Sequence, residues 1–352
     1  MPDSNMRNKF IEQTGLEGDV FEYGDASRSQ VDTMFYTGDD PWHRIGTKLD
    51  NPATALEAIH AAGLNWKVQQ YPVSYEFLPD GLFNKIDGRM AIVREDTQEV
   101  FQIATERYVP LQNTEAFNFF DGVVGAGEAI YHTAGALKGG RLIWIMAKLD
   151  GDLGVTGDAA EKYIMLSNSH DGSQAVDMRF CVRRVICKNT YKLALHNDEK
   201  HARIRHTGNV LAKINETREL LGLSEAYFAN FMRGMERLAD KKLSESQSVG
   251  YFNKVIGIDP NSPETMSTRK INIVNDIVRL YNGDGKGSEL VTANGTAWGA
   301  FNAVSEYLEH HRSIRNSADQ LQAIDKRMAS SYFGSGARIE QRAWDAALNL
   351  AR

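Results

Sequence analysis

Apolar and polar positions recur with different periods in the two halves of the chain. From Trp66 to Phe180 the period is close to two, as in half-buried strands; beyond Thr207-Gly208 it lengthens to three or four, as in amphipathic helices. Before the strands, Ala55, Ile59 and Leu64 have helical spacing, with Asn51-Pro52 as the predicted start and Gly63 as the stop. The strand region reads as an alternating run over 67–76, then runs over 89–94 and 99–105 joined by Glu95-Asp96-Thr97-Gln98 as a hairpin. Phe117, Phe120 and Val124 predict a helix over 114–124. Runs over 129–137 and 141–149 follow, broken by Gly139-Gly140, which suits a turn at positive φ. A further pair, 163–167 and 174–180, flanks His170-Asp171-Gly172.

The second half predicts helices over 209–240, 245–256, 268–281, 293–311, 314–329 and 337–351, with breaks at 259–263 and 283–287. The class expected is α+β: an antiparallel sheet decorated by helices, then an all-α C-terminal region. Residues 1–30 read as a polar, flexible arm, 31–208 as the α+β core domain and 209–352 as the helical domain. No stretch of 18 apolar residues predicts a membrane span, and no leader pattern opens the chain.

Composition is that of an ordinary globular protein, with 42% hydrophobic and 24% charged residues in 352. Its two cysteines, Cys181 and Cys187, cannot build a disulfide scaffold, so a reducing, cytoplasmic setting is expected. At a formal net charge of −6 the chain cannot coat nucleic acid with its whole surface; any such contact needs local positive charge. The stretch 176–206 supplies it: Arg179, Arg183, Arg184, Lys188, Lys192, Lys200, Arg203 and Arg205 stand against Asp177, Asp198 and Glu199. Phe180 and Tyr191 are interleaved, and aromatic faces stack on bases. Lys138 and Arg141 flank a hairpin turn and extend the patch. The candidate nucleic-acid contacts are therefore Lys138, Arg141, Arg179, Arg183, Arg184, Lys188, Asn189, Lys192, Arg203 and Arg205. The strand is expected to end near Arg183, with a helix starting around Lys188 and Lys192.

Other motifs have plainer readings. Cys187 beside Lys188 has the look of an activated thiol, but no base can be named, and Asn189-Thr190 reads better as a helix cap. His170-Asp171-Gly172 reads as a turn rather than a metal or acid–base pair. Trp298, Phe301 and Tyr307 form a core stripe, and Trp42 anchors the arm. Gly283-Asp284-Gly285-Lys286-Gly287 lacks the ending of a phosphate loop. No catalytic, cofactor or paired-cysteine metal fingerprint is present, so neither catalytic residues nor a cofactor are assigned.

Three ordered motifs carry a resemblance. They are Pro41-Trp42-His43-Arg44-Ile45-Gly46-Thr47; Asn168-Ser169-His170-Asp171-Gly172-Ser173 with Arg184-Val185-Ile186-Cys187-Lys188-Asn189-Thr190; and Gly295-Thr296-Ala297-Trp298-Gly299-Ala300-Phe301-Asn302 with Tyr307 and Phe333-Gly334-Ser335-Gly336. From about residue 30 onward the chain resembles the phage/plasmid-like family of uncharacterised proteins, which implies a mobile-element setting inside a host cell. The order of elements is also similar to Rad52-like single-strand annealing proteins. That likeness implies a curved antiparallel sheet with helices on one face, single-stranded DNA as partner, and a homo-oligomeric ring or filament, in recombination or replication. The alternatives are a nuclease-like enzyme using His170, Asp171 or Cys187, and a module that blocks a host defence by binding protein.

Overall fold

The structure is a computed structural model and describes residues 34–38, 46–77, 81–124, 129–155, 157–193, 202–210, 212 and 224–352. The expected arm, the Pro41 to Ile45 motif, Lys200 with its acidic neighbours, and residues 213–223 of the expected 209–240 helix lie outside the described residues.

The architecture is α+β, as expected. A sheet runs in the order β10 (Thr190–Tyr191), β9 (Val176–Arg184), β8 (Asp158–Ser169), β7 (Leu142–Val155), β6 (Ala129–Leu137), β1 (Met34–Thr37) and β2 (Thr47–Leu49), with β11 (Ala202–Ile204) paired to β9. Every pairing is antiparallel except β1 with β2. A second sheet holds β3 (Val68–Phe77), β4 (Leu82–Arg94) and β5 (Val100–Thr105). The Glu95 to Gln98 hairpin joins β4 to β5, and Gly139 and Gly140 sit at φ 69° and 91° between β6 and β7.

The first helix, α1 (Ala55–Ala61), starts later than Asn51-Pro52 predicted. Thr54 is its cap, because Thr54 and Glu57 exchange side-chain and backbone hydrogen bonds in a capping box. Helix α2 spans Asn113–Val124. After residue 224 come α3 (Ser224–Asp240), α4 (Glu245–Ile256), α5 (Thr268–Arg279), α6 (Ala297–Glu306), α7 (Gln320–Phe333) and α8 (Ser335–Leu350). Helix α4 has the predicted bounds, since Ser244 caps one end and Gly257, left-handed at φ 80°, closes the other. Helix α6 passes into a wider π-turn at Tyr307–His311.

Helices cover both faces of the large sheet. Strand side chains alternate in direction. Ile143, Ile145 and Ala147 of β7 therefore enter the main core with Ile164, Leu166, Phe180, Phe231, Trp298 and Phe301. Trp144 and Met146 point the other way and pack with Tyr163, Met165 and Cys181 against Ile324, Met328 and Ala329 of α7. One apolar cluster thus runs from α1 to α8, so the expected sheet and helical halves share a core.

Candidate functional site

Helix α7 covers only part of the second face. At the end of the sheet where β8 begins and β9 ends, that face opens into a cleft of about 410 Å³. Alternation places its floor: Lys148 continues the Trp144–Met146 side of β7, Glu161 lies two before Tyr163, and Arg183 two after Cys181. His132 reaches the cleft because it is the extra residue of a bulge in β6 between Tyr131 and Thr133. Thr37, Asp50, Asn51 and Pro52 form one rim; Val185 and Lys188, on the turn after β9, form the other, and Ile130 adds apolar wall.

The floor is an ionic network. Lys148 Nζ donates to Glu161 Oε1 at 2.8 Å and Tyr163 Oη to Glu161 Oε2 at 2.6 Å. The Arg183 guanidinium is held less closely, 3.8 Å from Glu161 Oε2 and 3.3 Å from His132 Nε2. Burial raises the Glu161 carboxyl, but the Lys148 and Tyr163 hydrogen bonds and the charges of Lys148 and Arg183 outweigh it and hold the group below its usual range. Burial and the Arg183 charge push His132 down to about 3, so its ring is neutral near pH 7. An arginine can only donate, so Nε2 of this neutral ring accepts and Nδ1 carries the proton. That Nδ1–H is buried and has no hydrogen-bond partner among the described residues. Lys188 sits at φ 59°, the left-handed region that disfavours a side chain, closing the turn through its N–H to the Arg184 carbonyl.

Of the ten residues singled out in the sequence, only Arg183 and Lys188 line this cleft. Arg179 is on the same face but is ion-paired to Asp177. Lys138, Arg203 and Arg205 are exposed at the other end of the sheet. Eight residues of strand separate the two ends, roughly 25 Å. Four assignments are corrected, three by burial and that of Arg141 by the internal partners of its half-buried side chain. Arg184 has a side chain 1% exposed and forms a two-pronged ion pair with buried Asp158 at 2.7 and 2.8 Å. Asn189 is buried against His310 Nε2 at 2.9 Å. Lys192 is buried between the rings of Tyr332 and Phe333, donates to the Tyr332 carbonyl, and burial pushes its ammonium down to about 7. Arg141 donates to the Phe101 carbonyl and Glu99 and lies over the Phe101 ring. These four brace the protein internally.

The helix expected after β9 is also replaced. Residues 185–188 form a turn, and Thr190–Tyr191 folds back to pair with Val182 and Arg183. Asn189 therefore caps nothing. The His170 turn is present: Asp171 accepts from Ser169 Oγ and the Ser173 N–H, while His170 is fully buried, bonded to Asn113 and flanked by Trp66 and Phe101. Cys187 is buried and burial raises its thiol above the ordinary value. Neither has the exposure of a reacting group.

Parts of two of the motifs behind the resemblance, those holding Arg184 and Trp298, meet in a buried knot. Asp158 accepts from Arg184, from Trp298 Nε1 at 2.8 Å and from Thr292 Oγ1 at 3.1 Å, and Tyr191 Oη donates to Asn302 at 2.5 Å. Sequence reasoning missed Lys148, Glu161, Tyr163 and His132. Parity along 144, 146 and 148 carried a signal for Lys148; nothing local marked the bulge that turns His132.

Comparison with known families matches residues 100–329, well over half of the chain, to the domain of unknown function DUF932. The chain belongs to that family, and the matched segment contains the floor of the cleft and the knot around Asp158. No curated protein and no solved structure matches the chain.

Proposed function

We propose that this chain is a non-enzymatic nucleic-acid-binding protein that holds a single strand at the cleft on the second face of its sheet. Its setting would be the recombination or replication of mobile-element DNA. The supporting observation is the convergence of Lys148, Arg183 and Lys188 on one concave site. Cations held within one cleft neutralise phosphate more effectively than the same charges scattered over a surface. The contact set is narrower than the sequence suggested, and the strand-annealing use implied by the Rad52-like resemblance would employ several copies of the chain.

A salt series of fluorescence anisotropy on single-stranded and duplex DNA, with and without Mg²⁺, tests this. Three phosphate contacts predict a slope of log affinity against log salt near −2 for single strands, at about 0.7 per contact. Arg183→Ala with Lys188→Ala should lower that slope by about 1.4. Lys192→Met, a buried change, should leave it alone. Binding and slope unchanged in the double variant would overturn the proposal, as would Mg²⁺-dependent strand cleavage.

A further inference from the structure

The cleft is polarised along its length. Arg183, Lys148 and Lys188 come from β9, β7 and the turn after β9. Asp50 and Asn51 come from the segment after β2, three strand positions further across the sheet from β7. Ile130 adds apolar wall, with Pro52 on the acidic rim and Val185 on the cationic one. A strand that spanned the whole cleft would bring a phosphate to Asp50, which repels it, so the phosphate of a bound nucleotide belongs at the cationic end. A single phosphate at the cationic end has no such conflict. Its organic part would then lie over the apolar wall, with Asp50 and Asn51 placed to accept from or donate to hydroxyl and amino groups.

One detail marks the cationic end as an oxyanion seat rather than a resting salt bridge. Arg183 sits 3.8 Å from Glu161, while Lys148 and Tyr163 hold that carboxylate at 2.8 and 2.6 Å. Glu161 is thus committed to Lys148, and the Arg183 fork retains donors for another anion. Lys188 completes the set from a strained backbone position where glycine or asparagine would be easier.

We infer that the cleft binds one phosphate monoester carried on a nucleoside, with Arg183 and Lys188 on the phosphate and Glu161 as a built-in counter-anion. This rests on the nucleic-acid reading for the nature of the ligand. The monoester belongs either to a free nucleotide or to the phosphorylated end of a strand. The volume lies in the range of roughly 300–1,000 Å³ usual for small-molecule sites.

The test is calorimetric titration of the full chain with dAMP, adenosine and inorganic phosphate, beside anisotropy with one oligonucleotide bearing a 5′-phosphate or a 5′-hydroxyl. Expected are binding of dAMP, at least tenfold weaker binding of adenosine, and competition by inorganic phosphate. Glu161→Gln should tighten dAMP roughly tenfold by removing the internal anion, and Arg183→Gln should weaken it by tenfold or more. Lys188→Gly separates binding from folding: it relieves a left-handed backbone, so melting temperature should hold or rise while dAMP affinity falls. Adenosine binding as well as dAMP, or Lys188→Gly leaving dAMP affinity intact, overturns the inference. Equal affinity for both oligonucleotides, lost in Arg183→Gln, sinks the monoester seat and spares the strand-binding proposal. If dAMP binds and neither oligonucleotide does, the seat stands and strand binding falls. With free nucleotide as the source, dAMP outcompetes both oligonucleotides; with a strand end, the 5′-phosphorylated oligonucleotide binds tighter than dAMP.

Discussion

Replacing Asp158 should injure this protein more than any surface charge change. Its carboxylate accepts two bonds from Arg184 and one each from Trp298 and Thr292, and neither Arg184 nor Asp158 is more than 1% exposed. Asp158→Ala leaves a guanidinium buried without its partner, which costs about 3–5 kcal/mol. The orphaned indole N–H adds about 1–3 kcal/mol. The total, on the order of 4–8 kcal/mol, rivals the whole stability of a typical protein, about 5–15 kcal/mol. Thermal and urea melts should show a midpoint lowered by about 10 °C or more, or loss of soluble protein. Removing both charges together, as Asp158→Leu with Arg184→Met, should recover most of the loss, because a buried pair is often replaceable by apolar groups. An Asp158→Ala penalty under about 1 kcal/mol would refute this account. So would Arg184→Met weakening DNA binding at undiminished stability, which would return Arg184 to the surface role its sequence context suggested.

His170 is buried neutral, with burial as the main cause pushing it down to about 3. Unfolded, it regains an ordinary value near 6.5 and takes up a proton first, so its contribution to stability is present above pH 6.5 and is lost as pH falls towards 3. The stability penalty of His170→Gln should therefore shrink by about 2.7 kcal/mol between pH 7.5 and 4.5; a penalty that does not change with pH in urea melts contradicts the burial argument. Gly299→Ala should cost at least about 3 kcal/mol, because its Cβ would stand 1.9 Å from the Ala293 carbonyl oxygen, and a neutral result would deny that approach. Burial pushes the Cys181 thiol up to about 12 and raises Cys187 as well, so neither should react with a thiol reagent until the chain is unfolded. Rapid native labelling of Cys187 would restore it as a candidate nucleophile.

The class, the hairpins and most helix bounds were legible because local periods and caps decide them. Ser244 to Gly257 is the clearest case, with both ends written in four residues each. The candidate site was legible only in part. Of the charges along 176–206, Arg183 and Lys188 line the cleft. A one-dimensional charge count cannot tell Arg183 from Arg184, whose side chains leave opposite faces of one strand. Nor can it see that Lys192 meets the aromatic rings of α7, some 140 positions away. Lys148 and Glu161 escaped notice because an acid and a base on separate strands look like ordinary surface charge until the register aligns them.

Strand β7 is apolar on both sides, and one of those sides is finished by a helix that the ribosome makes much later. The bond from the Lys138 N–H to Asp325 joins positions 187 residues apart. At about 5–20 residues per second, Trp144, Met146 and Met165 wait roughly 10–40 s for Ile324 and Met328. Until then the nascent sheet shows a greasy face beside the rim of the future cleft, where chaperones or a second unfinished copy can attach. Fragments ending near residue 208 keep that face permanently and should aggregate. Expression of the full chain should respond to growth temperature and chaperone supply, because the last quarter of the sequence covers an apolar face made by the first half.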